Sequence, residues 1–305
     1  MSQAVIRKKH PVLLGFLILG VIFLIFWGGV IFLISSATKP AGNLFAGRDG
    51  IGVVEIKGII VSPEKVIREL REFQKSSTIK AVVLRVDCTG GAVGASQEIY
   101  KEVQRTNKLK PVVASMGSVA ASGGYYVALG SEKILASPGT LTGSMGVIFK
   151  FINLEDLFQK IGYKSDVVKS GEMKDIGAAN RPMTEEERKV LQELIDTVHS
   201  QFVRAIVTSR SLSEERVRDL ADGRVFSGEQ AREYGLIDEF GNFTDAVMLS
   251  AELAGIKDKY PHLVYPREKT IPFLKIFGGE AAHVLLNRFF DHFPVLFYEW
   301  AFFTH

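Results

Sequence analysis

The chain of 305 residues sets 37 Lys and Arg against 34 Asp and Glu, a formal net charge of +3, and has one cysteine. With charge this close to balance and no basic cluster beyond the first ten residues, a nuclease or DNA-binding role is excluded, and no nucleic-acid partner is expected. A lone cysteine permits no intramolecular disulfide, so stability cannot depend on an oxidising compartment.

From Pro11 to Ile34 no residue is charged. That run exceeds the ~20 residues needed to cross a hydrocarbon core of ~30 Å. It is also longer than the ~7–15 residues of a cleavable signal's apolar region, so a membrane anchor is expected over 11–34, with cleavage as the alternative. Arg7, Lys8 and Lys9 precede it. The positive-inside tendency then leaves residues 1–10 in the cytoplasm and the rest on the outer side, the periplasm in a Gram-negative-type cell. Residues 35–50, rich in Gly, Ala, Ser and Pro, read as a tether.

The stretch 51–265 is long enough to bury a core. Ile51–Ile56, Ala81–Val86, Pro111–Ser115 and Val147–Phe149 read as strands, and Asp166–Lys169 is strand-like. Helical patterns run from Pro63 to Lys75 and from Ala92 to Leu109. Strands alternating with helices predict an α/β domain with parallel pairing.

Ser122 lies between small residues and a Gly pair, in Gly117–Tyr126, just after the apolar run at Pro111–Ser115. A nucleophile is presented in such a place, and it needs a base. None of the six histidines sits in a Gly-rich or acidic motif. A lysine can serve if desolvation removes its charge, and Lys174, in the polar run Ser170–Ile176, is one candidate among many surface cations. Cys88 reads as a small buried hydrophobe rather than a nucleophile.

Asp87-Cys88-Thr89-Gly90-Gly91, Ala120–Tyr126, Leu141–Val147, Lys169–Asp175 and Gly223–Ala231 followed by Gly235–Asp238 occur in this order. Together, over about residues 50–255, they resemble the signal peptide peptidase A family in its short, membrane-anchored form. The resemblance implies a Clp protease/crotonase-like spiral of β-β-α units and no cofactor or metal. It implies Ser122 as nucleophile, Lys174 as general base and Ser144 as the hydroxyl that orients the base amine. The backbone N–H groups of Gly123 and of Gly91, or its neighbour Gly90, are the expected oxyanion donors, because glycine lets a backbone come close to substrate. The family's Asn-Ser-Pro-Gly-Gly type of turn appears here without its proline, with the Gly pair kept. The expected activity is endoproteolysis of remnant signal peptides and other hydrophobic peptides, in a homo-oligomeric ring whose neighbours line the groove. Ser122 and Lys174 could then come from one chain or from two. The rival readings are an inactive membrane-anchored scaffold, a crotonase-like acyl-CoA enzyme and a secreted protease freed of its anchor.

Thr184 with Glu187 spells a capping box, and Leu191, Leu194, Ile195, Val198, Phe202 and Ile206 share one face, which predicts a core helix over Thr184–Arg210. In the tail, 266–305, Leu285, Phe289, Phe293, Leu296 and Trp300 lie near one helical face with polar groups interleaved. A surface amphipathic helix is expected rather than a second span, with entry of the tail into the protease groove as the second possibility.

Overall fold

The computed structural model describes residues 19–29, 48–266 and 297–298. The chain divides into two units, Met1–Arg48 and Asp49–His305. In the first, residues 19–29 form helix α1, with Leu19, Phe23, Leu24 and Phe26 exposed. Among the described residues no helix is long and apolar enough to cross a membrane. The rest of the expected 11–34 span lies outside the described residues, as does the tether up to residue 47.

The second unit is a mixed α/β fold on one nine-stranded sheet. Its central strands are β1 (Gly50–Ile60), β2 (Ile79–Ala92) and β3 (Val112–Ala121), all parallel. They are joined by α2 (Glu64–Lys75) and α3 (Val93–Asn107), as βαβ crossovers require. Ala81, Val82, Val83 and Leu84 are fully buried in succession, as expected of a strand covered on both faces. Val82, Leu84 and Val86 pack toward the larger core cluster with Leu70, Phe73, Ile99 and Phe202. Val83, Ile51 and Val113 face α9 (Phe243–Leu253) through Ala246 and Val247.

After β3 come the short α4 (Gly123–Ala128), β4 (Lys133–Ala136) and β5 (Leu141–Gly143), both strands parallel to β3. Beyond β5 the fold departs from expectation. Val147–Phe149 is not a strand, only a single bridge residue at Ile148, and Asp166–Lys169 is irregular. From Gly146 to Glu186 no residue is buried, although Ile148, Ile152, Leu157, Ile161, Val167 and Val168 are apolar and exposed. This arm contains α5 (Glu155–Lys160) and one turn of 3-10 helix (Glu172–Asp175). Val147 packs against the larger core cluster, whereas Val167 and Val168 have the local pattern of a strand without forming one.

The arm returns through α6 (Glu185–Arg210). The Thr184–Glu187 capping box is present, with the Glu187 N–H donating to Thr184 Oγ1 and the Thr184 N–H donating to Glu187 Oε2. Only the C-terminal half of α6 is core: Val198, Phe202, Val203 and Ile206 are buried, whereas Leu194 is exposed and Leu191 and Ile195 half-buried. The predicted core helix therefore holds for half its length. α7 (Glu214–Leu220), β6 (Val225–Ser227), α8 (Gly228–Glu233) and β7 (Glu239–Phe240) complete the sheet margin, and β8 (His262–Val264) adds to β1 in parallel.

In the tail, Phe297–Tyr298 forms a strand, β9, antiparallel to Gly91–Ala92 of β2. At those two residues the expected amphipathic helix gives way to a strand; the rest of the tail lies outside the described residues.

Candidate active site

β3 runs straight into Ser122, which sits at the turn into α4 with φ 53 and ψ −117. A non-glycine residue held at positive φ costs on the order of 1–3 kcal/mol, so the surroundings must impose it. They do so through the backbone on both sides. The Ser122 N–H donates to Gly143 O of β5 at 2.8 Å, and Ser122 O accepts the Tyr126 N–H at 2.8 Å. Two buried threonines stitch β5 and the loop before it to β3: Thr142 Oγ1 donates to Ala120 O at 2.6 Å and Thr140 Oγ1 to Gly117 O at 2.8 Å. Asp87 Oδ1 accepts the Val119 N–H at 3.1 Å near the break in the β2–β3 ladder. Below, Tyr125 is fully buried and its hydroxyl donates to Leu236 O at 2.9 Å.

The Ser122 hydroxyl is buried and makes no hydrogen bond among the described residues. A buried hydroxyl without a partner forgoes on the order of 1–3 kcal/mol, which fits a group kept for chemistry. Ser144, also buried and at positive φ (50), follows the Gly143 whose carbonyl holds Ser122, so β5 brings the two serines to one place.

The Gly pair after Ser122 lets α4 rest on the end of β2. A Cβ on Gly123 would stand 2.6 Å from Ser96 Oγ and 3.2 Å from the Gly91 backbone nitrogen, and one on Gly124 would stand 2.9 Å from Cys88 O. Gly91 itself, at φ 151, has no room for a side chain, since its Cβ would lie against Ile60 O. The sequence-predicted oxyanion residues Gly90, Gly91 and Gly123 are thus packed backbone to backbone beside Ser122. Cys88 is 1 % exposed, and burial pushes its thiol up to about 11. Its sulfur accepts the Gly90 N–H at 3.3 Å, which makes it a support of the turn and fits the reading as a buried hydrophobe.

Lys174 lies elsewhere. It is exposed on the 3-10 turn of the arm, and its amine makes no hydrogen bond or ion pair among the described residues. Within one chain the structure brings together Ser122, Ser144, Gly90, Gly91 and Gly123, and does not bring Lys174 onto Ser122 Oγ. The sequence reading passed over Ser96, Asp87 and the ion pairs around Asp175. Only Asp87 carried a signal, as a carboxylate at the end of an apolar strand. No group of acidic, His or Cys side chains among the described residues could hold a metal ion.

The model of peptidase family S49 matches residues 104–257, a span that holds Ser122, Ser144 and Lys174. The chain belongs to peptidase family S49. Among similar proteins, "Putative protease slr0021" of Synechocystis sp. is 42% identical over 211 residues, covering 68% of this chain and 76% of its own. "Serine protease SPPA, chloroplastic" of Arabidopsis thaliana is 33% identical over 73% of this chain and 35% of its own. "Protease 4" of Salmonella typhi is 36% identical over 66% of this chain and 32% of its own. The chain thus spans about a third of the latter two. The resemblance read from the motifs is borne out, and this S49 member is a serine peptidase. The scaffold and acyl-CoA readings are set aside.

Proposed function

We propose that this S49 peptidase cuts hydrophobic peptides, remnant signal peptides among them, by an acyl-enzyme mechanism on a Clp protease/crotonase-like framework. Ser122 attacks the peptide carbonyl and gives its proton to Lys174. The amine, oriented by Ser144, passes that proton to the leaving nitrogen and then activates the water that releases the acyl group. The N–H groups of Gly123 and Gly91 receive the oxyanion. The observation that carries the reading is the buried, unpartnered hydroxyl of Ser122, held at positive φ against the Gly90–Gly91 backbone.

A lysine that serves as a base needs shielding from water, and Lys174 is exposed on an arm that also exposes Ile152, Leu157, Ile161 and Val168. Both facts support a homo-oligomeric ring in which the arm of one copy brings Lys174 to Ser122 of the next. The uncharged run 11–34 supports a single-pass anchor in the inner membrane with the peptidase domain outside, which would put hydrophobic peptides within reach.

Mixing separately purified Ser122→Ala and Lys174→Ala chains under exchange of subunits, with hydrolysis of a fluorogenic apolar peptide as readout, tests this. Each variant alone is expected to be inactive, and the mixture to regain activity at interfaces where an intact Ser122 meets an intact Lys174. Inactivity of the mixture after demonstrated exchange refutes the shared site, and activity of Lys174→Ala alone refutes the base.

A second reading concerns the tail. β9 pairs antiparallel with Gly91–Ala92, the edge an extended substrate would use, which favours the tail as an occupant of the groove. Truncation after residue 266 should then raise turnover of added peptide; unchanged turnover counts against it.

A further inference from the structure

Directly after Lys174 in the chain comes a carboxylate, Asp175. A carboxylate within about 4–6 Å of an amine favours the ammonium, and a general base must shed that proton. Asp175, however, is fully engaged. Lys169 Nζ lies 2.6 Å from Asp175 Oδ1, Arg181 Nη2 lies 3.0 Å from the same oxygen, and Arg181 Nε donates to Oδ2 at 3.3 Å. Arg181 also holds the backbone of the turn, its Nη2 donating to Asp175 O at 3.2 Å. Its other side grips Glu187, with Nη1 donating to Oε2 at 2.9 Å and Nη2 to Oε1. Glu187 is the buried member of the capping box, so the chain of pairs ends on the first turn of α6.

Exposed ion pairs are usually worth little, because two long side chains must be ordered in water. This group differs in being bidentate, joined to a buried carboxylate and directed at backbone as well as side chains. Asp175 and Glu187 are both held at about 2, first by their hydrogen bonds to Arg181.

We propose that Arg181 is a positioning residue for the base: it ties the 3-10 turn bearing Lys174 to the start of α6 and, with Lys169, neutralises the Asp175 carboxylate that follows Lys174 in the chain. This rests on Lys174 being the base. The charged groups on the elements around Lys174 are Lys169, Glu172, Asp175, Arg181 and Glu187, with Glu185 and Glu186 at the head of α6. Of the two carboxylates in the turn itself, Asp175 is the one paired with cations.

The test is the pH profile of kcat/KM for the full chain on a fluorogenic apolar peptide, in wild type, Lys174→Ala, Arg181→Lys, Arg181→Met and Arg181→Met with Asp175→Asn. Arg181→Met is expected to lose on the order of tenfold or more near neutral pH, with the acid limb displaced upward so that the deficit shrinks in alkaline solution. Removing the Asp175 charge in that background should return the limb to its wild-type position. Arg181→Lys, which keeps the charge without the fork, should fall between. A loss equal at every pH and not relieved by Asp175→Asn overturns the electrostatic role and leaves a structural tie only. Activity that survives Lys174→Ala refutes the base assignment itself, which is a separate result and removes the inference with it.

Discussion

Replacing Gly123 by alanine isolates the close approach on which the proposed oxyanion site depends. The added Cβ would stand 2.6 Å from Ser96 Oγ and 3.2 Å from the Gly91 nitrogen, where ordinary contact begins at 3.4 Å. The first obstacle is cheap to move: Ser96 Oγ donates only to Ala92 O, at the end of β2 just before its helix, at 3.0 Å, and can rotate away. The second is backbone, and relief requires α4 and the Gly90–Gly91 turn to separate by a few tenths of an ångström. Overpacking of this kind costs about 1–3 kcal/mol of stability. Loss of one oxyanion donor costs roughly a hundredfold to a thousandfold in kcat. The expected outcome is a folded protein with a lowered Tm and kcat reduced by about two orders of magnitude. Adding Ser96→Ala should restore much of the Tm and little of the kcat, since the clash with Gly91 remains. Peptide hydrolysis and thermal melts on the four variants of the cycle measure both. If Gly123→Ala turns over peptide at the wild-type rate, the packing of Gly123 on Gly91 has no part in catalysis.

Cys88→Ala should keep activity within several-fold and cost about 1–2 kcal/mol in denaturant melts, and iodoacetamide should label Cys88 only after unfolding, given its burial and raised thiol. Tyr125→Phe leaves the buried Leu236 carbonyl without its donor and should cost about 1–3 kcal/mol by urea titration, with kcat nearly unchanged if α4 keeps its place. Asp175 and Glu187 have folded values near 2, below ordinary values of 3.8 and 4.5. Their contribution is therefore complete above about pH 4.5 and is lost as pH falls toward 2. Hydrogen exchange across residues 166–190 should speed up in that window ahead of the sheet, and Arg181→Met should weaken the pH dependence, with Lys169 and the Thr184 N–H still holding the two carboxylates.

Parallel strands buried on both faces announce themselves as continuous apolar runs, so β1, β2 and β3 were legible, as was the Thr184–Glu187 cap. The turn at Ser122 was legible too, because Gly123–Gly124 and Gly90–Gly91 mark backbone approaches that only glycine permits. Val147–Phe149, Val167–Val168 and Leu194 misled for a common reason. Apolar periodicity reports that a surface is to be covered without saying by what, and the reading assigned it to the chain's own core. The charge network around Asp175 was invisible since its members, six or more residues apart, meet only once the arm has turned back on itself.

Helix α6 is built as a cantilever. Its root is clamped: Phe202 and Ile206 are fully buried, and Arg210 donates to Asp238 Oδ2 at 2.8 Å and to Gly235 O at 3.1 Å. Its free end, fifteen residues before Phe202, bears Glu187 and through Arg181 the turn of Lys174, about 22 Å out at 1.5 Å per residue. A tilt of a few degrees at the root moves that tip by on the order of 1 Å, and misplacement of that size in a reacting group can cost about a hundredfold in rate. With Lys174 as the proposed base, ordinary repacking beneath Phe202 is thereby amplified into a change of catalytic alignment, so substitutions that tune this peptidase are expected at the fulcrum as well as at the site.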